Sequence, residues 1–190
     1  FLTQGSNKRS ITLDLKTEQG REILKKLAAT ADVLVENYRP GAFKALGLGY
    51  DDLSKLNPKL VYASMTAFGQ DGPRGKQTAY DMAIQATSGF TASTGTPDSG
   101  PIKTGAPVID YATGTTGAFA IAAALYQTLR TGKGQYIDMA MMDVALIMQA
   151  THITDHLHSG HNPKRNGNKM RFAETSLFET AVWTQATDYG

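Results

Sequence analysis

Asp110 is the residue around which chemistry can be built. It lies in Thr104-Gly-Ala-Pro-Val-Ile-Asp-Tyr-Ala-Thr-Gly-Thr-Thr-Gly117, after a short apolar run and at the start of a helix-like segment. That segment opens with Ala112, Gly114, Gly117 and Ala118. A helix start leaves backbone N–H groups without intrahelical partners and carries the positive end of the helix dipole. An Asp there is held as the carboxylate, and small neighbours leave room for a bulky molecule to reach it. Two roles are open to it. Asp110 is either a helix cap, the commonest duty of Asp at such a position, or a nucleophile for a carbonyl centre. The local residues leave both open.

Other chemistries have weaker footing. His152, His156, His158 and His161 crowd one helix end, and His152 and His156 share a face. A zinc-protease helix needs Glu directly after its first His, and here that residue is Ile153. No metal site is expected. Thr131-Gly-Lys-Gly134 lacks the spaced glycine of a phosphate-binding loop, and no Gly-x-Gly-x-x-Gly follows a strand. Phosphates would have to be held by separate side chains such as Lys16, Arg39 and Lys44. Ser88-Gly89 lacks the first glycine of a serine nucleophile elbow. With no cysteine in the chain, thiol nucleophiles, disulfide scaffolds and Cys-ligated metals are excluded. That composition fits a reducing cytoplasm, the expected location.

The 190 residues suffice for one domain with a sizeable core. A net charge of +2, with scattered Lys and Arg, exerts little pull on nucleic acid or membrane. No signal peptide is visible, and no apolar run is expected to reach membrane-spanning length. The longest, Ala118 to Leu125, reads as buried helix. The start at Phe1 and the end at Tyr189-Gly190 suggest a piece of a longer chain.

The elements that must position Asp110 emerge from periodicity. Ser10–Leu15 alternates and reads as a strand. Thr17 caps a helix whose apolar face carries Ile23, Leu24, Leu27 and Ala28. Ala31–Glu36 is a short buried-type strand. Strand, helix, strand with short links begins an α/β fold with a parallel sheet. In such sheets ligands bind beyond the carboxyl ends of the strands, where Asn37 and Arg39 lie. Short helices at Pro40–Leu46 and Asp51–Leu56 precede a strand at Leu60–Met65 and a Gly- and Pro-rich loop at Ala67–Lys76. Ala79–Ala86 is a helix with Tyr80 and Asp81 at its start. The Asp110 helix runs to about Arg130. The turn Thr131–Gly134 uses glycines for positive φ, and Gln135–Met141 is a strand. Asp143 caps the last helix. Ser159–Met170 is a polar linker, and Thr175–Thr180 a further strand.

The succession of motifs is more specific than any one of them. Asn7-Lys-Arg-Ser-Ile-Thr-Leu-Asp-Leu-Lys16, Ala31-Asp-Val-Leu-Val-Glu-Asn-Tyr-Arg-Pro-Gly41, Leu46-Gly-Leu-Gly-Tyr50, Asn57-Pro58, Phe68-Gly-Gln-Asp-Gly-Pro73, Tyr80-Asp81, Asp110, Thr131-Gly-Lys-Gly-Gln135 and Met141-Met-Asp143 occur in that order. This order resembles the family III CoA-transferases, which include formyl-CoA:oxalate and carnitine CoA-transferases and, as a divergent branch, α-methylacyl-CoA racemase.

The resemblance implies a Rossmann-like open, mainly parallel sheet flanked by helices, forming part of the large domain of an interlocked homodimer and binding no NAD. Residues 1–158 would be the CoA-binding α/β region, and 159–190 the linker and start of a small domain. It implies transfer of CoA from an acyl-CoA donor to a carboxylic acid through an aspartyl-CoA thioester on Asp110. Leu13, Lys16, Asn37, Arg39, Tyr80 and Met141 match positions that bind CoA in relatives, with Leu13 against the adenine. Tyr111 would shape the acyl pocket. CoA would enter as a substrate moiety, with no tightly bound cofactor, no metal, no nucleic acid and no membrane partner. Two departures bear on this. Ala45 stands where many relatives carry Arg, beside Lys44. Tyr80 stands where racemase-type members carry a His, which favours transfer. The alternatives are an acyl-CoA racemase or epimerase, and a non-catalytic CoA-binding module in which Asp110 is only a cap.

Overall fold

A computed structural model of the chain describes residues 5–169; the strand expected at Thr175–Thr180 lies outside them. The chain forms two compact units. One comprises the residues up to Tyr80 with Asp110–Val144; the other comprises Asp81–Ile109 and the residues from Ala145.

The first unit is an α/β layer structure. Helix α1 (Glu18–Ala28) starts at Thr17, whose hydroxyl accepts from the Gly20 N–H at 3.1 Å. Strand β1 (Val33–Glu36), single-turn helix α2 (Ala42–Ala45), helix α3 (Tyr50–Leu56) and strand β2 (Val61–Thr66) come next. The sheet is completed by β3 (Gln135–Ala140) in the order β1-β2-β3, parallel throughout. The expected open parallel α/β arrangement is therefore present. Central β2 is buried along nearly its whole length, as a parallel strand covered on both faces must be.

One side of the sheet carries a core of Ala28, Phe43, Leu48, Leu53, Leu60 and Tyr62. The rings of Tyr50, Tyr62 and Tyr136 pack there with centroids 5.5–6.1 Å apart. Burial pushes the Tyr62 and Tyr136 phenols above their ordinary range, and for Tyr62 the charge of Glu36 adds to it. The Asn57 amide donates to the carbonyls of Ala28 and Ala31 at 3.1 and 2.8 Å, which gives the Asn57-Pro58 motif a structural duty.

Several expectations are corrected. Ser10–Leu15 forms no strand. Its far end is committed to the turn before α1: the Lys16 N–H donates to the Asp14 carboxylate, and Arg21 donates to the carbonyls of Leu15 and Lys16. Alternation makes a segment extended, but a ladder also needs a neighbour. On α1 only Gly20 and Ala28 are buried, whereas Ile23 and Leu27 are 41% and 47% exposed. Asp143 is not a cap. The helix Met141–Met148 (α7) starts directly from β3; Asp143 lies inside its first turn. The Met142 N–H instead donates to Ala67 O at 3.0 Å.

The turn into β3 needs glycine for two reasons. Gly132 has φ +71°. Gly134 is not left-handed; its N–H donates to Pro58 O at 2.7 Å, and a Cβ there would collide with the Leu60 carbonyl. Gly134→Ala must push two backbone segments apart. It should destabilise the protein by about 1–3 kcal/mol, the usual cost of overpacking, read as a lower denaturation midpoint.

The second unit contains α4 (Asp81–Thr87), the short α5 (Phe90–Ser93) and α8 (Ala150–Ser159). The Gln149 amide donates to the carbonyls of Ser88 and Ala145, both at 3.2 Å, at the break between α7 and α8. Helix α6 (Val108–Thr131) is the longest element described. It corrects the expectation about apolar runs: at 24 residues it is long and apolar enough, by length and composition, to cross a membrane. A helix in a soluble core meets the same measure. Its exposed side carries Tyr111, Phe119, Tyr126 and Leu129. Its other side turns Gly117 toward the thioether of Met65 on β2.

Candidate active site

The three strands end on the same side because all are parallel, and residues at or just beyond each strand end line one cleft of about 610 Å³. From β1 come Asn37, Tyr38, Arg39 and Pro40; from β2, Met65, Thr66 and Ala67; from the end of β3, Met141. Thr78, Ala79 and Tyr80 add a rim, and Asp110, Thr113 and Gly114 of α6 form a wall. This is the crevice beyond the strand ends where open α/β sheets bind ligands, and its volume is that of a small-molecule pocket.

Local bonds fix these segments. Glu36, 7% exposed at the end of β1, turns its carboxylate onto the Tyr38 N–H at 2.8 Å, and the Tyr38 ring packs on Phe43. The Ala42 N–H donates to Arg39 O at 2.9 Å. Gln70 accepts from the Gly41 N–H through its side chain and donates from its own N–H to Asp138. The tie from Met142 to Ala67 keeps Met141 beside the β2 end. The Thr66 hydroxyl accepts from the Gly69 N–H at 3.0 Å. Arg39 therefore supplies a positive charge to the cleft and Asp110 a negative one.

Asp110 occupies the third position of α6, inside its first turn. It is not the residue that caps the helix. The Ile109 N–H donates to Asp81, 28 residues upstream, at 2.7 Å. Asp81 is 8% exposed and also accepts from the Gln85 amide. Gln85 in turn brackets Thr104, donating to its hydroxyl at 2.9 Å and accepting from its N–H at 3.0 Å. The carboxylate that holds the helix start is thus remote in sequence, and the Asp110 side chain reaches the cleft wall. The dipole of a long helix favours a negative charge there.

Of the residues expected at the site, the structure brings Asn37, Arg39, Tyr80, Asp110 and Met141 to this cleft. It does not bring Leu13, Lys16 or Tyr111. Leu13 is half-buried and Lys16 exposed in the segment before α1. Tyr111 is 60% exposed on the outer side of α6. The helical step of about 100° per residue already separates Tyr111 from Asp110 and puts Thr113 and Gly114 within about 60° of it. Helical periodicity is therefore the signal that singles out Thr113, which motif matching passes over. Lys44 lines a second cleft of about 730 Å³ with Glu36, Tyr50, Tyr62 and Tyr136. Among the histidines, a His156 ring nitrogen lies 3.2 Å from His161 O.

A family model described as CoA-transferase family III matches residues 1–183. The succinate–glutarate CoA-transferase of Agrobacterium fabrum is 45% identical over 161 residues, 85% of this chain and 40% of that protein. The formyl-CoA:oxalate CoA-transferase of Streptomyces avermitilis is 42% identical over 163 residues, 86% of this chain and 40% of that protein. A solved structure of a CAIB/BAIF family protein from Brucella suis superposes with a TM-score of 0.85 at 41% identity, covering 92% of this chain and 47% of that one. The chain thus spans about 40% of the length of the curated relatives it matches.

Proposed function

From a chain that belongs to CoA-transferase family III, we propose a protein that moves coenzyme A from an acyl-CoA donor to a carboxylic acid, with Asp110 as the nucleophile. The observation that carries this reading is Asp110 itself: a carboxylate in the first turn of a 24-residue helix, on the wall of a cleft at the strand ends. Tyr80, where racemase-type members have a His, supports transfer over racemisation.

The chemistry runs through carboxylate exchange. An Asp110 Oδ attacks the thioester carbonyl, the C–S bond breaks and CoA thiolate leaves a mixed anhydride. The thiolate attacks Asp110 Cγ, releasing the donor acid and leaving an aspartyl-CoA thioester. The acceptor carboxylate attacks that Cγ and expels the thiolate again. The thiolate then takes the acceptor's acyl carbon, and Asp110 is regenerated. Each step exchanges one activated acyl bond for another, so no proton need move and no cofactor is called for. Arg39 supports binding of an anionic part of the substrate, and Asn37 and Met141 border its path. In this reading residues 1–158 form the CoA-binding region, 159–190 lead into a further domain, and the protein works as a cytoplasmic interlocked homodimer. The apolar outer face of α6 supports a partner surface.

The protein carrying this chain should be mixed with a panel of acyl-CoAs, quenched with hydroxylamine or borohydride, and mapped by mass spectrometry. Modification at Asp110, together with exchange of labelled carboxylic acid into acyl-CoA, is the expected result. Bound CoA without adduct or exchange would move the reading to racemase chemistry or a binding module.

A further inference from the structure

Each attack in the proposed reaction puts negative charge on a carbonyl oxygen, which needs a donor already in place. Two N–H groups at the start of α6 are already committed: the first, from Val108, donates to Ala106 O at 2.8 Å, and the second, from Ile109, is held by Asp81. A side-chain donor on the wall that carries Asp110 would add to the N–H groups a helix start offers.

Thr113 meets the requirement. It is 4% exposed, lines the cleft, and its Oγ1 is a buried side-chain atom with no hydrogen-bond partner among the described residues. Other threonines of α6 spend their hydroxyls on the helix itself: Thr115, Thr128 and Thr131 each donate to the carbonyl four residues back, all at 2.9 Å. The Thr66 hydroxyl on the facing strand end accepts from the Gly69 N–H, which fixes that oxygen in the strand-end turn. A buried hydroxyl without a partner is costly, and a ligand oxygen would remove that cost. Thr113 also lies three residues beyond Asp110, so their Cβ atoms are about 5–6 Å apart on one helix face. A carbon under attack by Asp110 lies about 3–3.5 Å from the carboxylate. The carbonyl oxygen on that carbon lies on the same helix face as the Thr113 side chain, and an oxyanion donor acts at about 2.7–3.1 Å.

We propose that the Thr113 hydroxyl donates a hydrogen bond to the thioester carbonyl oxygen of the acyl-CoA while Asp110 attacks its carbon. The assignment rests on the transferase reading of Asp110. It makes Thr113 a catalytic residue whose bond is strongest in the transition state, when the oxygen carries the charge.

The test compares Thr113→Val with Thr113→Ser in the protein carrying this chain, following formation of the Asp110 adduct and steady-state transfer. Val keeps the shape and removes the hydroxyl. It should lower kcat and the adduct rate on the order of 10²-fold, with KM for acyl-CoA changed less than about threefold, since ground-state binding uses this bond little. Thr113→Ser should recover most of the lost rate. The thermal midpoint of Thr113→Val should equal or exceed that of the unsubstituted protein, because an unsatisfied hydroxyl has been removed. Adduct rates for Val within threefold of the parent overturn the assignment, as does a Ser variant as slow as Val, or a loss confined to KM. A parent protein that forms no adduct with any donor overturns the transferase reading and this assignment with it. Adduct formation in the parent separates the two failures.

Discussion

Asp110→Asn should bind acyl-CoA within a few-fold of the unsubstituted protein and transfer it at least about 10⁴-fold more slowly, the scale on which removal of a covalent nucleophile acts. Asn has nearly the same volume and accepts through its Oδ1, so the wall of the cleft keeps its shape. What it loses is the charged oxygen that opens the thioester, and with it every intermediate that passes through Cγ. Asp110→Ala should be equally inactive. The measurements are CoA thioester affinity by calorimetry, transfer rate with excess acceptor, and the hydroxylamine-sensitive adduct, which should vanish in both variants. An Asp110→Asn protein that still transfers at a tenth of the normal rate would leave Asp110 as only part of the helix start. The position of Asp110 makes this test clean. Ile109 is held by Asp81 rather than by Asp110, so replacing Asp110 leaves that anchor of the helix start in place.

Asp81→Ala should do the reverse, damaging the fold first. Asp81 is buried, accepts from the Ile109 N–H at 2.7 Å and from the Gln85 amide. Truncation leaves both donors without that acceptor in a place water does not easily reach. The expected loss is about 3 kcal/mol, from one to three for each stranded group. Asp81→Asn keeps the volume and one accepting oxygen, but its NH₂ faces one of the two donors. It should lose less, about 1–2 kcal/mol. Chemical denaturation of the two variants measures both values, and a loss below half a kilocalorie for Asp81→Ala would show the cap to be dispensable. Activity should fall moderately in the folded fraction, because Asp110 follows Ile109 along a helix whose first turn has lost its anchor. That decline should stay far smaller than the loss in Asp110→Asn, which separates a residue that holds the helix from one that reacts.

Much of this was legible in the residues. The short, largely apolar segments at Val33–Glu36, Val61–Thr66 and Gln135–Ala140, separated by helical stretches, point to a parallel sheet because parallel neighbours need a long crossover, usually a helix. Thr17, Asn37 and Arg39 could be placed from their offsets to those elements, and the ordered motifs pointed to the family and, through that resemblance, to Met141. These properties are local or depend on order along the chain, and local rules of backbone and side chain are sufficient for them.

The rest was decided by contacts between distant segments. Ser10–Leu15 has the alternation of a strand, yet its end is committed to the turn before α1, and pairing is a property of two segments. Asp110 has every local mark of a cap, but Asp81 takes the Ile109 N–H from 28 positions away, and spacing around Asp110 carries no trace of that. Asp143 loses its expected cap for a similar reason: the helix begins at Met141, whose neighbour Met142 is tied to Ala67. Tyr111 and Thr113 differ by their place around one helix, which periodicity encodes. That Thr113 is buried without a partner among the described residues, while Thr115, Thr128 and Thr131 bond back to the helix, is not encoded so. The type of a residue states what its side chain can donate; which partners reach it is set only when the chain closes around it.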